Sequence, residues 1–231
     1  KKEATDAAKG KIFTKIGREI MVCVKESGPD PNSNSKLRDL IAKAKANNVP
    51  NDNIDRVIKK AAGGDDKNSY ESMVYEGYGP NGVAVIVECL TDNKNRTAGD
   101  VRHYFDKFGG NLGTSGCVSF MFSQKGVVIL ENTGLDEDTV MEDCMDCGGD
   151  DFSFDEDTVE ITCAPSDLHA LREGLTAKGY KVLSAEVEQI PSTYTTLTDE
   201  DQIKKMNLLL ENLEDHDDVQ NVYHNWEMPE E

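Results

Sequence analysis

The chain has 231 residues, of which 37% are hydrophobic and 30% charged, and its formal net charge is −19. This composition is typical of a globular protein with one large domain or two to three small ones. No segment approaches the roughly 20 consecutive apolar residues of a membrane span, and the first ten residues lead into no apolar signal-peptide core. We therefore expect no membrane association.

Six cysteines are dispersed through the chain, too few for a disulfide scaffold. They favour a reducing compartment. We expect the bacterial cytoplasm, because no Arg- and Ser-rich presequence is present, with the mitochondrial matrix as the alternative.

The negative charge is unevenly distributed. Residues 1–62 carry a net charge of +6, whereas residues 63–231 carry −25. Such asymmetry predicts a basic end that meets a polyanion. The acidic part either keeps the protein soluble or binds a basic protein partner.

The first 62 residues predict three amphipathic helices. Apolar residues recur at spacings of three and four over residues 4–25 and about 35–46. A third helix, capped by Asn51 or Asp52, carries Ile54, Val57, Ile58 and Ala61. Pro50 separates the second helix from the third, and Gly63 with Gly64 ends the third. The outer faces of these helices are basic.

From residue 70 the pattern changes to that of strands. Two strands, a helix and a further strand are predicted at residues 70–78, 82–91, 97–108 and 117–122. Residues 126–189 then follow the order β-α-β-β-α-β, which is that of a ferredoxin-like unit. A helix at 199–214 and a strand at 218–224 would complete the first unit, so that residues 126–196 form an insertion.

The predicted fold class is α+β, with an N-terminal three-helix bundle followed by two ferredoxin-like α/β units, one inserted in the other. The predicted domains are a basic helical bundle (1–66), a discontinuous α/β domain (67–125 plus 197–231) and an inserted acidic α/β domain (126–196).

Basic side chains are grouped on the predicted helices and in one loop. Lys59 and Lys60 follow Arg56 by three and four residues, which places all three on one helix face. Such patches bind phosphates, or they merely keep a bundle soluble. In the loop 91–97, polar side chains contact phosphates or bases, or Asn95 or Thr97 caps the next helix. The candidate nucleic-acid-binding residues are Lys1, Lys2, Lys9, Lys11, Lys15, Arg18, Lys36, Arg38, Lys43, Arg56, Lys59, Lys60, Asn93, Lys94, Asn95 and Arg96.

No motif predicts catalysis, a metal or a cofactor. The glycine-rich loop 107–116 matches no phosphate-binding pattern, and it allows either a close backbone approach or a flexible crossing. Cys144 and Cys147 form a C-x-x-C without a second ligand pair, and the acidic runs do not have calcium-loop spacing. We therefore predict that the protein is not an enzyme and holds no metal.

Several motifs are similar to those of the YebC/PmpR family, which includes the mitochondrial translational activator of cytochrome c oxidase subunit I. The motifs are GKIFTK (10–15), NNVP (47–50), YEGYGP (75–80), ECLTDN (88–93), NRT (95–97) and GGNLG (109–113). The resemblance implies three domains and no enzymatic activity. It implies either a DNA-binding transcriptional regulator or a ribosome-associated factor that contacts RNA near the peptidyl-transferase region and assists stalled, for instance proline-rich, synthesis. The basic Gly-His-Ser-Lys-Trp-like tail of the family precedes the first residue of this chain.

Two hypotheses follow for the partner. The first is a translation factor that binds ribosomal RNA through the basic helices and the loop at residues 93–96. The second is a transcriptional regulator that places a helix on duplex DNA. The large acidic part and the lack of a heptad dimerisation element argue against DNA, whereas the RNA-recognition aromatic motif is also missing.

Overall fold

The structure is a computed structural model, and it describes residues 6–64 and 69–229. Its helices are α1 (Asp6–Ser27), α2 (Ser35–Ala46), α3 (Asn51–Ala62), α4 (Lys94–Lys107), α5 (Glu137–Asp146), α6 (Leu168–Ala177) and α7 (Glu200–Asp215). Its strands are β1 (Glu71–Tyr78), β2 (Ala84–Thr91), β3 (Asn111–Leu112), β4 (Phe122–Glu131), β5 (Asp151–Phe154), β6 (Thr158–Cys163), β7 (Val182–Pro191) and β8 (Val219–His224). The predicted α+β class, with an N-terminal helical region and two antiparallel sheets, is confirmed.

The described residues fall into two compact units. Unit 1 takes the described parts of residues 1–29, 51–123 and 191–231, and unit 2 takes residues 30–50 and 124–190. Within unit 1, α1 packs against α3. Helix α2 belongs to unit 2, which differs from the single three-helix bundle predicted from the sequence. The amphipathic pattern of α2 predicts that it buries one face, but not against which element.

The sheet of unit 1 has the strand order β3-β1-β2-β8. Its central strand β2 is buried on both faces, which explains its nearly continuous apolar sequence AVIVECL. On one face, Val85 and Val87 join Phe105 of α4 and Leu209 of α7 in one core. On the other face, Ala84 and Ile86 join Val118 and Phe122 in a second, smaller cluster.

The sheet of unit 2 has the order β5-β6-β4-β7. Its core includes Val128 and Ile161 of the sheet, Val140 of α5 and Leu171 of α6. Both helices thus bury an apolar face on this sheet.

The strand predicted at residues 117–122 is wrong. Strand β3 occupies Asn111–Leu112, and residues Ser119–Met121 form a single helical turn. The buried carboxylate of Glu76 takes the backbone N–H groups of Gly116, Val118 and Ser119, at 2.5, 3.2 and 2.6 Å, so these groups do not join a strand ladder.

The glycine-rich loop makes a close backbone approach, one of the two alternatives left by the sequence. A Cβ atom on Gly110 would lie 2.1 Å from the carbonyl oxygen of Tyr78, which is far inside van der Waals contact. On Gly113 it would lie 2.6 Å from the sulfur of Cys117. These two glycines allow the loop to lie against β1, and Glu76 then holds its end.

Candidate nucleic-acid interface

Of the sixteen predicted contact residues, Lys1 and Lys2 lie outside the described residues. The remaining residues divide into cations held by partners inside their own unit, residues that shape the loop before α4, and exposed cations. Only the last kind leaves a side chain whose charge is directed at solvent.

Two lysines of α1 contact the end of α7. Lys11 lies 2.5 Å from Oδ1 of Asp215 and donates to the carbonyl of the same residue at 3.0 Å. Lys15 donates to the carbonyl of Glu214. Burial lowers the pKa of Lys15, whereas the hydrogen bond to Asp215 raises that of Lys11. Cations at a helix C-terminus interact favourably with the helix dipole, so both lysines help α1 to pack on α7.

Asp218 connects three elements of unit 1. It is 1% exposed and accepts hydrogen bonds from Arg18 at 2.7 Å, from Arg96 at 2.9 Å and from the Thr97 hydroxyl at 2.9 Å. Arg18 also donates to the carbonyl of Leu90 at 3.3 Å. Burial alone would raise the pKa of Asp218, but the donated hydrogen bonds outweigh burial and lower it to about 2. Arg18 and Arg96 therefore neutralise a buried carboxylate.

The loop before α4 is organised as a helix cap. The Asn93 side chain accepts from the backbone N–H of Arg96 at 3.1 Å, so the capping residue is Asn93 and not Asn95 or Thr97. Lys94 lies 2.6 Å from the carboxylate of Glu71, and both side chains are more than half exposed. Asn95 is exposed. An exposed ion pair of this kind is worth little and can exchange for a phosphate.

The cations of α2 mostly contact other parts of unit 2. Arg38 lies 3.1 Å from Glu173 and 3.0 Å from the His169 ring, and Lys43 lies 2.8 Å from Glu186. Lys36 is exposed.

The α3 basic face, defined as Arg56, Lys59 and Lys60, is exposed to solvent. Within residues 6–64 and 69–229, no ion pair or hydrogen bond from these three side chains is found. Lys59 and Lys60 lie in the last turn of α3. Lys9 on α1 is likewise exposed. The α3 basic face thus combines adjacent positive charges with full access for an anion.

Comparisons with known proteins identify the family. The model of the TACO1/YebC N-terminal domain matches residues 1–64, and that of the TACO1/YebC second and third domains matches residues 70–226. The chain belongs to the TACO1/YebC family. The resemblance seen in its sequence motifs is thereby confirmed.

Relatives in the TACO1/YebC family cover nearly the whole chain. A probable transcriptional regulatory protein of Acetivibrio thermocellus is 62% identical over 98% of this chain and 94% of its own length. A protein of the same description from Ruminiclostridium cellulolyticum is 60% identical over 100% of this chain and 93% of its own. The crystal structure of a conserved hypothetical protein from Aquifex aeolicus, 42% identical, superposes with a TM-score of 0.89 over 100% of this chain and 95% of that one.

Two central residues of this TACO1/YebC protein were missed by sequence reasoning. Asp218 stands in an acidic run that predicts a solvated surface, and Glu76 lies in an ordinary strand. Their buried positions depend on partners far away in the chain. Only Glu76 could have been suspected from the sequence. It lies within a predicted strand, where alternate side chains face the interior of the fold.

No group of three or more His, Cys, Asp or Glu side chains in the described part of the chain is placed to hold a metal ion. None of the helices described here is long and apolar enough to cross a membrane.

The cysteines of the native protein are expected to react slowly with Ellman's reagent at pH 8. Burial raises the pKa of Cys89 to about 12 and those of Cys144 and Cys163 to about 11. Only the thiolate is nucleophilic. Stopped-flow absorbance should show slow release of thionitrobenzoate, with the half-buried Cys117 and Cys147 leading, and six rapid equivalents in urea. Rapid native labelling of Cys89 would contradict this prediction.

Proposed function

We propose that this TACO1/YebC protein is a nucleic-acid-binding regulator of gene expression whose ligand is ribosomal RNA. The observation that carries the proposal is the α3 basic face, three exposed cations that form no ion pair with any residue of 6–64 or 69–229, on a chain of net charge −19. On so acidic a protein, three neighbouring exposed cations on a helix that also carries Asp52 and Asp55 are a specific feature and not a general property of the surface.

Binding in this proposal depends on phosphate neutralisation. Arg56, Lys59 and Lys60 would displace counterions from the RNA backbone, with Lys9, Lys94 and Asn95 as further contacts. No covalent step is proposed, and the protein would act by positioning its surface beside the reaction centre of a stalled ribosome, for instance on a proline-rich stretch. The acidic part of the chain would then stay clear of RNA or bind a basic protein.

A second candidate is a transcriptional regulator that binds duplex DNA. It is favoured by the description of the bacterial relatives as probable transcriptional regulatory proteins. This alternative requires a sequence-specific affinity on the order of 10³-fold or more above non-specific binding. Because these relatives are bacterial, we propose the bacterial cytoplasm as the location.

The test is co-sedimentation with purified ribosomes over a salt series, in the presence of excess duplex DNA. The variant Lys59→Glu with Lys60→Glu is expected to lower the apparent affinity for ribosomes by at least about tenfold, because two phosphate contacts become repulsive. The affinity of this variant should also depend less steeply on the salt concentration. Wild-type binding should weaken steeply as the salt concentration rises.

The matched control is Arg102→Glu with Lys204→Glu, which changes the net charge equally at exposed positions of unit 1 outside the α3 basic face. This control should sediment like the wild type. If both variants lost the same affinity for ribosomes, the effect would come from the change in net charge and not from the α3 basic face. Competition by duplex DNA, together with tight binding to a defined promoter fragment, would favour the transcriptional alternative.

A further inference from the structure

The exposed aromatic rings of the protein occur at one place. The chain has seven Phe, seven Tyr and one Trp, all within the described residues. Among them only Phe120 and Tyr194 are exposed, at 78% and 60%. Their segments are joined, since the backbone N–H of Ser192 donates to the carbonyl of Met121 at 2.9 Å and its hydroxyl does so at 3.1 Å. The two exposed rings therefore stand on adjoining segments of unit 1.

The backbone that carries Phe120 is fixed. Its helical turn is held by the carboxylate of Glu76, which accepts the N–H of Ser119 at 2.6 Å. The residues on either side of this turn, Val118 and Phe122, are buried in the small cluster beneath β2. A single exposed apolar side chain is common on protein surfaces, but this ring stands on a fixed turn beside a second exposed ring, which makes the pair a candidate binding feature.

The backbone around Tyr194 is also tied to the fold. Next to it, the N–H of Thr195 donates to the carbonyl of Asn225 at 2.7 Å, and Thr195 forms a β-bridge with the buried Trp226. Both rings thus stand on ordered backbone, which reduces the entropy lost when a ligand is bound.

The two segments lack negative charge. The chain has 44 Asp and Glu residues, yet none falls in residues 107–125 or 189–198. The exposed neighbours of the rings are instead hydroxyl-bearing, among them Ser119, Ser123 and Thr193. The exposed carboxylate of Glu227 lies beside the second segment, 3.2 Å from the Thr196 hydroxyl. Residues 107–125 carry Lys107 and Lys125 and no acid, so that around Phe120 this segment offers a polyanion no repulsion.

We infer that Phe120 and Tyr194 form a stacking platform for unpaired nucleobases of single-stranded RNA. Bases stack on aromatic rings with little sequence preference, at about 1–3 kcal/mol per base. The inference rests on the proposed function and adds to it: the α3 basic face binds phosphates, while the stacking platform recognises bases that are not already stacked in a duplex.

The test is fluorescence anisotropy of a labelled oligouridylate with the full chain at several salt concentrations. Phe120→Leu and Tyr194→Leu are each expected to weaken binding by about tenfold, within the range measured for loss of one stacked base. Phe120→Trp should bind at least as tightly as the wild type, because it keeps a ring. The slope of affinity against salt should not change in these variants, since no phosphate contact is lost.

Three further arms separate stacking from other causes. Val74→Ala removes another exposed apolar side chain of unit 1 and should leave binding unchanged. Oligothymidylate DNA should show the same loss with Phe120→Leu, since the ring contacts the base and not the sugar. Binding of an RNA duplex should not be weakened by Phe120→Leu, because its bases are already stacked. Equal binding of oligouridylate by Phe120→Leu and wild type would overturn the inference, and it is the result expected if the rings bind a protein.

The failure of the inference and that of the proposed function give different results. If Lys59→Glu with Lys60→Glu weakens RNA binding while Phe120→Leu does not, the stacking platform is overturned and the α3 basic face stands. If the ring variants weaken binding and the lysine variant does not, the stacking platform is supported without the α3 basic face. Absence of RNA binding by the wild type, at low salt and with ribosomes, would overturn both.

Discussion

Replacing Asp218 with asparagine is expected to lower the free energy of unfolding by about 3 kcal/mol at pH 7, measured by urea denaturation. The carboxylate is 1% exposed and is shared by Arg18 and Arg96. Arg18 is itself largely buried, with 15% of its side chain exposed. Asparagine would leave a guanidinium in a poorly solvated position without its counter-charge, and this is where most of the loss arises.

The stability from Asp218 should also depend on pH. Its pKa falls from 3.8 to about 2 on folding. Between these two pH values the carboxylate is therefore charged in the native state but protonated in the unfolded chain. Its contribution is complete above pH 5 and is lost as the pH falls from about 4 to about 2, amounting to roughly 2 kcal/mol. The difference in stability between wild type and Asp218→Asn should shrink over this acid range.

The control for Asp218 is its neighbour Asp217, which is exposed. Asp217→Asn removes the same charge and should change stability by less than about 1 kcal/mol. Combining Arg18→Met with Asp218→Asn should cost less than the sum of the single substitutions, because the double variant leaves no lone charge from Arg18. Strict additivity would contradict the proposed ion-pair coupling.

Replacing Glu76 with glutamine is expected to cost about 2 kcal/mol in urea unfolding at pH 7. The carboxylate is 5% exposed, and its two oxygens accept three backbone N–H groups of residues 116–119. A glutamine side chain has one such oxygen, and its amide would direct N–H groups at other N–H donors. At least one buried donor would lose its acceptor.

Burial by itself would raise the pKa of Glu76, but the hydrogen bonds from Gly116, Ser119 and Val118 outweigh it and hold the pKa below the usual 4.5. Its stabilisation is therefore complete above pH 4.5 and lost as the pH falls below that value. The control is Glu71→Gln at the start of the same strand, where the carboxylate is about half exposed and pairs with Lys94. A loss in that control as large as in Glu76→Gln would contradict the assignment.

Local structure was largely predictable from the sequence. The helix predicted at residues 35–46 has those bounds in the structure, as α2, because its apolar period and its boundaries are both encoded locally. Strand β2 was equally clear from its run of apolar residues. The turn at Ser119–Met121 was not predictable, because Val118 and Phe122 are residue types that favour strands. The backbone N–H groups of Val118 and Ser119 donate to the carboxylate of the distant Glu76 and not to a neighbouring strand.

The sequence by itself determined the types of element, the family and the positions of the charges. Which charges meet solvent was decided only by the tertiary structure. Arg18 and Lys59 look alike on their helices, yet Arg18 is held by Asp218, 200 residues later, whereas Lys59 is exposed. A side chain's charge is a local property, but its neutralisation depends on which distant groups the fold brings within a few ångströms.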